Sequence, residues 1–285
     1  MFLIMITWIY YTLINKVMVI MSNIKERLLN GIEKLMDVSL AMIPRQLSQT
    51  APIEKAKIIA HRGGHHHKVG LIENTMAAFD AAYQCGCWGI ELDVHATQDG
   101  VMVVHHDHDL SRLWQHTDNI DALTFDALRK LAPDIPTLSE VVEKYGQKMH
   151  FFIEIKAPFH AHKALLGQLS ALKPIQDYHL ITLSPEVFYP IATFDKRAMM
   201  LVAGHNNVSA MVVESIAQNY AGVLGHYILM TRKYHQMLDA AKQKSGVGFV
   251  GSQNALVRCL NQGQTWIFTN TAVKTTNILM KLKQK

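Results

Sequence analysis

Four short apolar runs in this chain end on groups that can do chemistry. They read His61-Arg62-Gly63, Glu91-Leu92-Asp93, His106-Asp107 and Glu154-Ile155-Lys156. Glu91 and Asp93 stand two apart, as do Glu154 and Lys156, so on a strand each pair shares a face. Three carboxylates converging from two adjacent strands would repel one another and displace their own pKa values. A hard dication resolves that conflict, because all-oxygen ligand sets suit Mg2+ or Ca2+. A guanidinium and an ammonium beside them would stabilise negative charge, and two imidazoles could accept and donate protons. A Glu-x-Asp pair on a strand is most often a salt bridge on a solvated face. Here Ile90, Leu92 and Val94 flank the acids, which marks the strand as central.

The elements that must position these groups alternate. Strand-like runs cover 57–60, 88–94, 150–155, 179–183, 198–203, 221–225, 247–251 and 265–269, and a helical pattern follows each. Strict alternation predicts a parallel sheet with helical crossovers. Eight such units over about 230 residues match an α/β fold of the (β/α)8 TIM barrel type, with a small insertion between the second and third of these strands. A doubly wound open sheet competes, but no glycine-rich dinucleotide loop follows the first strand. A further short strand, 101–104, follows the Asp99-Gly100 turn. Residues 106–136 read as polar and irregular, with a helical turn at 124–131. Asn74 is expected to cap a helix running to about Cys85, with Phe79, Ala82 and Tyr83 facing inward. Thr137 and Glu140 form a capping box for a helix that Gly146 ends. Ser184 reads as an N-cap ahead of Pro185.

The chain has 285 residues and a net charge of +5 from 28 basic and 23 acidic side chains. That mild excess suits an anionic substrate or membrane surface. No Lys/Arg stripe with interleaved aromatics is present, so a nucleic-acid partner is not expected. Cys85, Cys87 and Cys259 are odd in number, and Cys85-Gly86-Cys87 has the wrong spacing for a zinc knuckle or redox pair. Reduced thiols, and hence a cytosolic compartment, are the expectation.

The N-terminus differs from the rest. Residues 2–14 carry no charge, and the stretch to Met21 is long enough to span a bilayer. It lacks a basic n-region and a small-residue cleavage site. Residues 1–21 therefore read as a membrane anchor, a spurious start with Met21 the true one, or a buried helix. Residues 22–44 read as an amphipathic helix, with Ile24, Leu28, Leu35 and Met42 at helical spacing. It could lie on a membrane surface. If the first segment spans, the main body stays cytoplasmic, tethered to the inner face. Residues 45–285 carry no internal linker and read as one domain.

Together these motifs resemble the glycerophosphodiester phosphodiesterase family. The resemblance rests on HRG at 61–63, ENT at 73–75 with AAF at 77–79, ELD at 91–93 and DGVMVVHHD at 99–107. It continues through Leu110, Arg112, PTLSE at 136–140 and EIK at 154–156, with looser echoes at Ser184, Asn254 and FTN at 268–270. The resemblance implies a (β/α)8 barrel that hydrolyses glycerophosphodiesters to sn-glycerol 3-phosphate and an alcohol. It implies Glu91, Asp93 and Glu154 as ligands of one divalent cation, Mg2+ or Ca2+, and His61 and His106 as the acid/base pair. Arg62 and Lys156 would hold the phosphate, and Glu73 would support the site. The segment between the second and third strands resembles the family's insertion over the barrel mouth.

The chain departs from the family at two places. Ile72 stands where a proline commonly precedes the ENT motif. Gly251-Ser252-Gln253-Asn254 stands where strand seven often ends Trp-Thr-x-Asn, so an aromatic wall is expected to be missing. Two other function classes compete: a phospholipase D-like hydrolase of membrane lysolipids, and a non-catalytic barrel that binds phospholipid headgroups.

Other histidines invite assignment. His65-His66-His67 could bind zinc, but its place after HRG favours a mouth loop that happens to be His-rich. Among His105, His106 and His108, the spacing from Asp99-Gly100 in the family pattern selects His106. His105 is then expected on the opposite face and His108 in the insertion. A zinc hydrolase would want His-x-His at the first strand end, and position 63 is glycine.

Overall fold

Eight parallel strands close into a ring in the computed structural model, which describes residues 35–36 and 38–284. The strands are β1 (Lys57–His61), β2 (Gly89–Ala96), β4 (His150–Ile155), β5 (Tyr178–Thr182), β6 (Met199–Val202), β7 (Gly222–His226), β8 (Lys244–Gly248) and β9 (Trp266–Thr269). Each pairs in parallel with its neighbour, and β1 pairs with both β9 and β2, which closes the barrel. The short β3 (Met102–Val104) lies outside the ring, antiparallel to β2. Arg45–Lys285 forms one compact unit. The hydrophobic segment 1–21 lies outside the described residues, as does most of 22–44; residues 35–36 and 38–42 are helical. Among the described residues no helix is long and apolar enough to cross a membrane.

The period of two along each strand builds the barrel interior in layers. Ile59, Phe152 and Phe268 belong to one buried cluster with Ile181, Met200, Leu224 and Trp266. Two residues further on, on the same face, stand His61, Glu154 and Asn270. An apolar plug thus sits directly beneath a polar layer at the C-terminal mouth.

The insertion between β2 and β4 is more ordered than its polar sequence suggests. It holds β3, α2 (Ser111–Trp114), a 3-10 turn at Ile120–Ala122, and α3 (Phe125–Leu131). Val103, Leu110, Ile120, Leu128, Ala132 and Ile135 make a buried cluster of their own. The apolar residues are too widely spaced for a period to be legible, yet they meet in space. The Thr137–Glu140 capping box forms, and it opens α4 (Leu138–Tyr145).

Five local expectations are corrected. Helix α1 (Met76–Gln84) is capped by Thr75, not Asn74, and Tyr83 is 48% exposed rather than inward. Strand seven spans Lys244–Gly248, ending three residues before 251. After β5 the chain forms a 3-10 helix, Pro185–Ile191, instead of an α-helix. Pro190 inside it removes a backbone donor, and Ser184 makes no side-chain cap. The remaining crossovers are α5 (His162–Gln168), α6 (Val208–Gln218), α7 (Arg232–Ala240), α8 (Gln253–Asn261) and α9 (Ala272–Lys283).

Candidate functional site

Strand register brings the charged groups together. His61 is level with Glu91, and Asp93 is level with Glu154. Ligand oxygens of Glu91, Asp93 and Glu154 all lie within 4.8 Å of one another, and all three residues are buried. Lys156 Nζ forms ion pairs with Asp93 Oδ1, at 2.7 Å, and with Glu154. Glu91 Oε1 is buried with no hydrogen-bond partner. Burial, together with the charges of Asp93 and Glu154, pushes the Glu91 carboxyl well above the usual range. Burial also raises Glu154, with Asp93 adding to it. For Asp93 burial acts upward too, but Lys156 and Arg62 outweigh it and hold the group ionised. An all-oxygen trio in which each carboxylate keeps one buried oxygen without a hydrogen-bond partner, and two carboxyls are elevated, is a set that a hard dication fits.

The turn after β1 shapes the next part of the site. Arg62 (φ 56) and Gly63 (φ 82) both adopt left-handed conformations. A Cβ on Gly63 would lie 2.9 Å from Ala78, so the loop rests directly on α1. This turn aims the Arg62 N–H at Glu91 Oε2, 3.0 Å away, and its guanidinium at Glu73 Oε1, 2.8 Å away. Asn74 (φ 56) donates from Nδ2 to Asp93 Oδ2 at 2.8 Å. Its role is to orient a carboxylate rather than to cap a helix.

The two imidazoles are held alike. His61 Nδ1 donates to Asn270 Oδ1 at 2.5 Å, leaving Nε2 to face Glu91 Oε2 at 3.7 Å. Burial and the Arg62 charge lower His61 to about 4, so the ring is neutral at pH 7. His106 Nδ1 donates to Asp107 Oδ1 at 2.8 Å. Burial lowers the His106 ring, and the charges of Lys156 and Arg62 add to this against the opposing charge of Asp93. The neighbouring His105 is buried and bonds the Asp107 carbonyl at 2.9 Å, which secures the turn.

Two arginines then share one carboxylate. Arg112 donates from Nε to Asp107 Oδ2 and from Nη2 to Glu73 Oε1, both at 2.6 Å. Burial would raise Glu73, but hydrogen bonds from Arg112 and Arg62 bring it down to about 2. A continuous chain therefore runs His106–Asp107–Arg112–Glu73–Arg62. All eight sequence-predicted site residues are at this mouth. Sequence reading missed the parts played by Asn74, Asp107, Arg112 and Asn270. The motifs contained them, but nothing local says what they touch.

Phe249 corrects the expectation of a missing aromatic wall. It follows the end of β8 with φ 65 and is 51% exposed. Its ring stacks on His226 with centroids 5.2 Å apart and tilts against His61 at 5.8 Å. A bulky residue in the left-handed region is uncommon and costs energy, so this wall is held at a price the surrounding structure must offset.

Comparison with known proteins agrees with this geometry. The sequence model of the Glycerophosphoryl diester phosphodiesterase family matches residues 61–176. The chain is 34% identical over 174 residues to glycerophosphodiester phosphodiesterase 1 of Homo sapiens, covering 53% of this chain and 50% of that one. It is 35% identical over 137 residues to a glycerophosphodiester phosphodiesterase of Caldanaerobacter subterraneus, covering 44% and 54%. The chain thus spans about half the length of the curated relatives it matches. Among solved folds, the glycerophosphodiester phosphodiesterase of Thermotoga maritima superposes with TM-score 0.67 at 21% identity, covering 81% of this chain and 98% of that one. An Oleispira antarctica phosphodiesterase, solved with sn-glycerol-3-phosphate, superposes with TM-score 0.67 at 22% identity, covering 79% and 96%. The family match begins at His61 and spans the carboxylates, both imidazoles and Lys156, so the part of this chain that is similar to the glycerophosphodiester phosphodiesterase family is the part that carries the site.

Proposed function

We propose that the chain hydrolyses glycerophosphodiesters to sn-glycerol 3-phosphate and an alcohol with the help of one divalent cation, Mg2+ or Ca2+. The observation that carries this reading is the buried trio of Glu91, Asp93 and Glu154, ringed by Arg62, Lys156 and two imidazoles. The product in the Oleispira structure supports the substrate class for that relative. Glu91, Asp93 and Glu154 would hold the cation. When bound, it supplies Lewis-acid stabilisation of charge on the phosphoryl oxygens.

The protein's own groups account for the rest. Arg62 offers a planar fork to two phosphate oxygens, and Lys156 offers a point charge. Glu73 keeps the Arg62 fork oriented. His61 and His106 each have Nδ1 tied to an oxygen, so each presents Nε2. One accepts the proton of the attacking hydroxyl, from water or from the substrate's own neighbouring hydroxyl. The other enters the step as imidazolium and gives its Nε2 proton to the leaving alkoxide as the P–O bond breaks. The wall formed by Phe249 beside His61 fits the face against which the organic part of the substrate would rest.

The test is an assay of the purified full chain on glycerophosphocholine, glycerophosphoethanolamine and a lysophospholipid, with and without chelation. Activity on a glycerophosphodiester that is abolished by a chelator and restored by Mg2+ or Ca2+ supports the proposal. Turnover unchanged by exhaustive chelation, or by His106→Ala, overturns it. The uncharged segment 2–14 favours including the lysolipid, because a tethered barrel would meet substrates in the bilayer plane.

A further inference from the structure

We infer that His65, His67 and Glu73 form a second metal site, suited to a transition-metal dication of the zinc class. One ligand atom from each lies within 4.8 Å of the others. The loop that brings them together is built for a tight reversal. His66 and Leu71 exchange backbone hydrogen bonds in both directions, at 2.9 and 3.2 Å. A 3-10 turn at His67–Val69 and left-handed Gly70 fill the gap between them. That reversal folds His67 back over Glu73.

Three observations point to a ligand there. Glu73 divides its two oxygens. Oε1 receives both arginines, while Oε2 faces His67 Nε2 at 4.0 Å. The arginines are also partnered elsewhere, Arg62 by Asp93 and Arg112 by Asp107, so Glu73 keeps charge to offer. Second, His65 is only 9% exposed, and its Nδ1 is buried without a hydrogen-bond partner. A buried imidazole nitrogen left bare costs free energy that a metal bond would recover. Third, the His65 and His67 rings lie 5.3 Å apart and tilted by 58°, so they converge without stacking.

The donor set selects the ion. Two imidazoles and one carboxylate suit zinc, cobalt, nickel or copper; the all-oxygen trio suits magnesium or calcium. Tetrahedral zinc bonds of about 2.0–2.1 Å put ligand atoms about 3.4 Å apart. Closing the observed spacing takes a side-chain rotation, which His67, 66% exposed, can make. Three protein ligands leave one position for water or an anion. The site does not depend on the proposed catalytic activity. It does share Glu73 with the arginine chain, so occupancy would draw on the carboxylate that steadies Arg62 and Arg112.

Cobalt(II) titration of the untagged full chain tests the inference, with Mg2+ held in large excess to occupy the oxygen trio. The expected result is one equivalent of Co2+ with visible absorption of a low-coordinate nitrogen-containing site, displaced by Zn2+. His67→Ala, at an exposed position, should weaken binding on the order of 10-fold to 100-fold, and so should His65→Gln. Glu91→Gln should leave it unchanged. The inference fails if no Co2+ binds below millimolar concentration. It fails equally if His67→Ala has no effect, or if Glu91→Gln removes the binding, which would put the ion in the oxygen trio.

Discussion

Arg112 Nη2 lies 2.6 Å from Glu73 Oε1, and this contact joins the insertion to the loop that follows β1. The same guanidinium holds Asp107, which holds His106. One side chain therefore coordinates a proposed proton carrier with a proposed phosphate ligand. Arg112→Lys keeps the charge but cannot reach both carboxylates with a rigid fork. We expect kcat/KM to fall roughly 10-fold to 100-fold, the usual scale for losing such a supporting contact. Mg2+ affinity, read by calorimetry, should stay the same. Equal losses in both would mean that Arg112 only holds the fold.

Gly63 offers a stability test. Its left-handed φ of 82° disfavours any side chain, and an added Cβ would meet Ala78 at 2.9 Å. Gly63→Ala should cost about 2–4 kcal/mol in urea unfolding, combining backbone strain with overpacking. Gly100→Ala also has a left-handed φ, 80°, but no atom within 4 Å of its Cβ, and should cost less.

At the opposite end of the barrel, His150 and His179 make the protein acid-sensitive. His150 donates from Nδ1 to the Gln176 carbonyl at 3.0 Å, and its Nε2 accepts from His179 Nδ1 at 2.8 Å. The rings stack on Trp88 and Phe152. Burial lowers His150 to about 4 and His179 to about 3, the latter helped by His150 itself. The unfolded chain binds these protons near the ordinary 6.5, so it holds more protons than the fold below that pH. Stability is full above 6.5 and falls with pH until the folded values are reached, by about 1.4 kcal/mol per unit for each ring. Urea unfolding between pH 7.5 and 5 should show this slope, and His179→Phe should flatten it. An unchanged slope in that variant would refute the assignment.

Phe249 should govern affinity more than turnover. Its ring stands against His61 and His226 at the mouth. Phe249→Ala should raise KM several-fold for a glycerophosphodiester, with kcat changed by less than about 3-fold, the pattern of a lost uniform contact. A collapse of kcat with KM intact would instead give the ring a part in positioning His61.

Much of this site was legible because it follows strand period. Glu91 and Asp93, two apart among Ile90, Leu92 and Val94, had to share a buried face, and Glu154 had to lie on the adjacent strand. Asn74 was misread because the same residue type serves both as a helix cap and at left-handed φ. Arg112 and Glu73 are 39 residues apart in different loops, and no local pattern encodes such a meeting. Phe249 was missed because V-G-F-V-G at 247–251 reads as one apolar run with no residue marking where the strand stops. The insertion's cluster escaped notice because its apolar residues follow no period.

That cluster gives the single compact unit two buried interiors beside one candidate site. His61 and the carboxylates ride on the barrel, while His106 and Arg112 ride on a lobe with its own buried interior. The seam between them is the β2–β3 ladder, continued by the His105 amide bonding the Asp93 carbonyl at 3.0 Å. The proposed acid and base thus stand beside different buried clusters, joined by this backbone seam and by the Arg112–Glu73 contact. Softening the lobe at Leu110 or Ile120 would detune the spacing of the pair. The geometry of the proposed site is in that sense adjustable from residues that lie outside it.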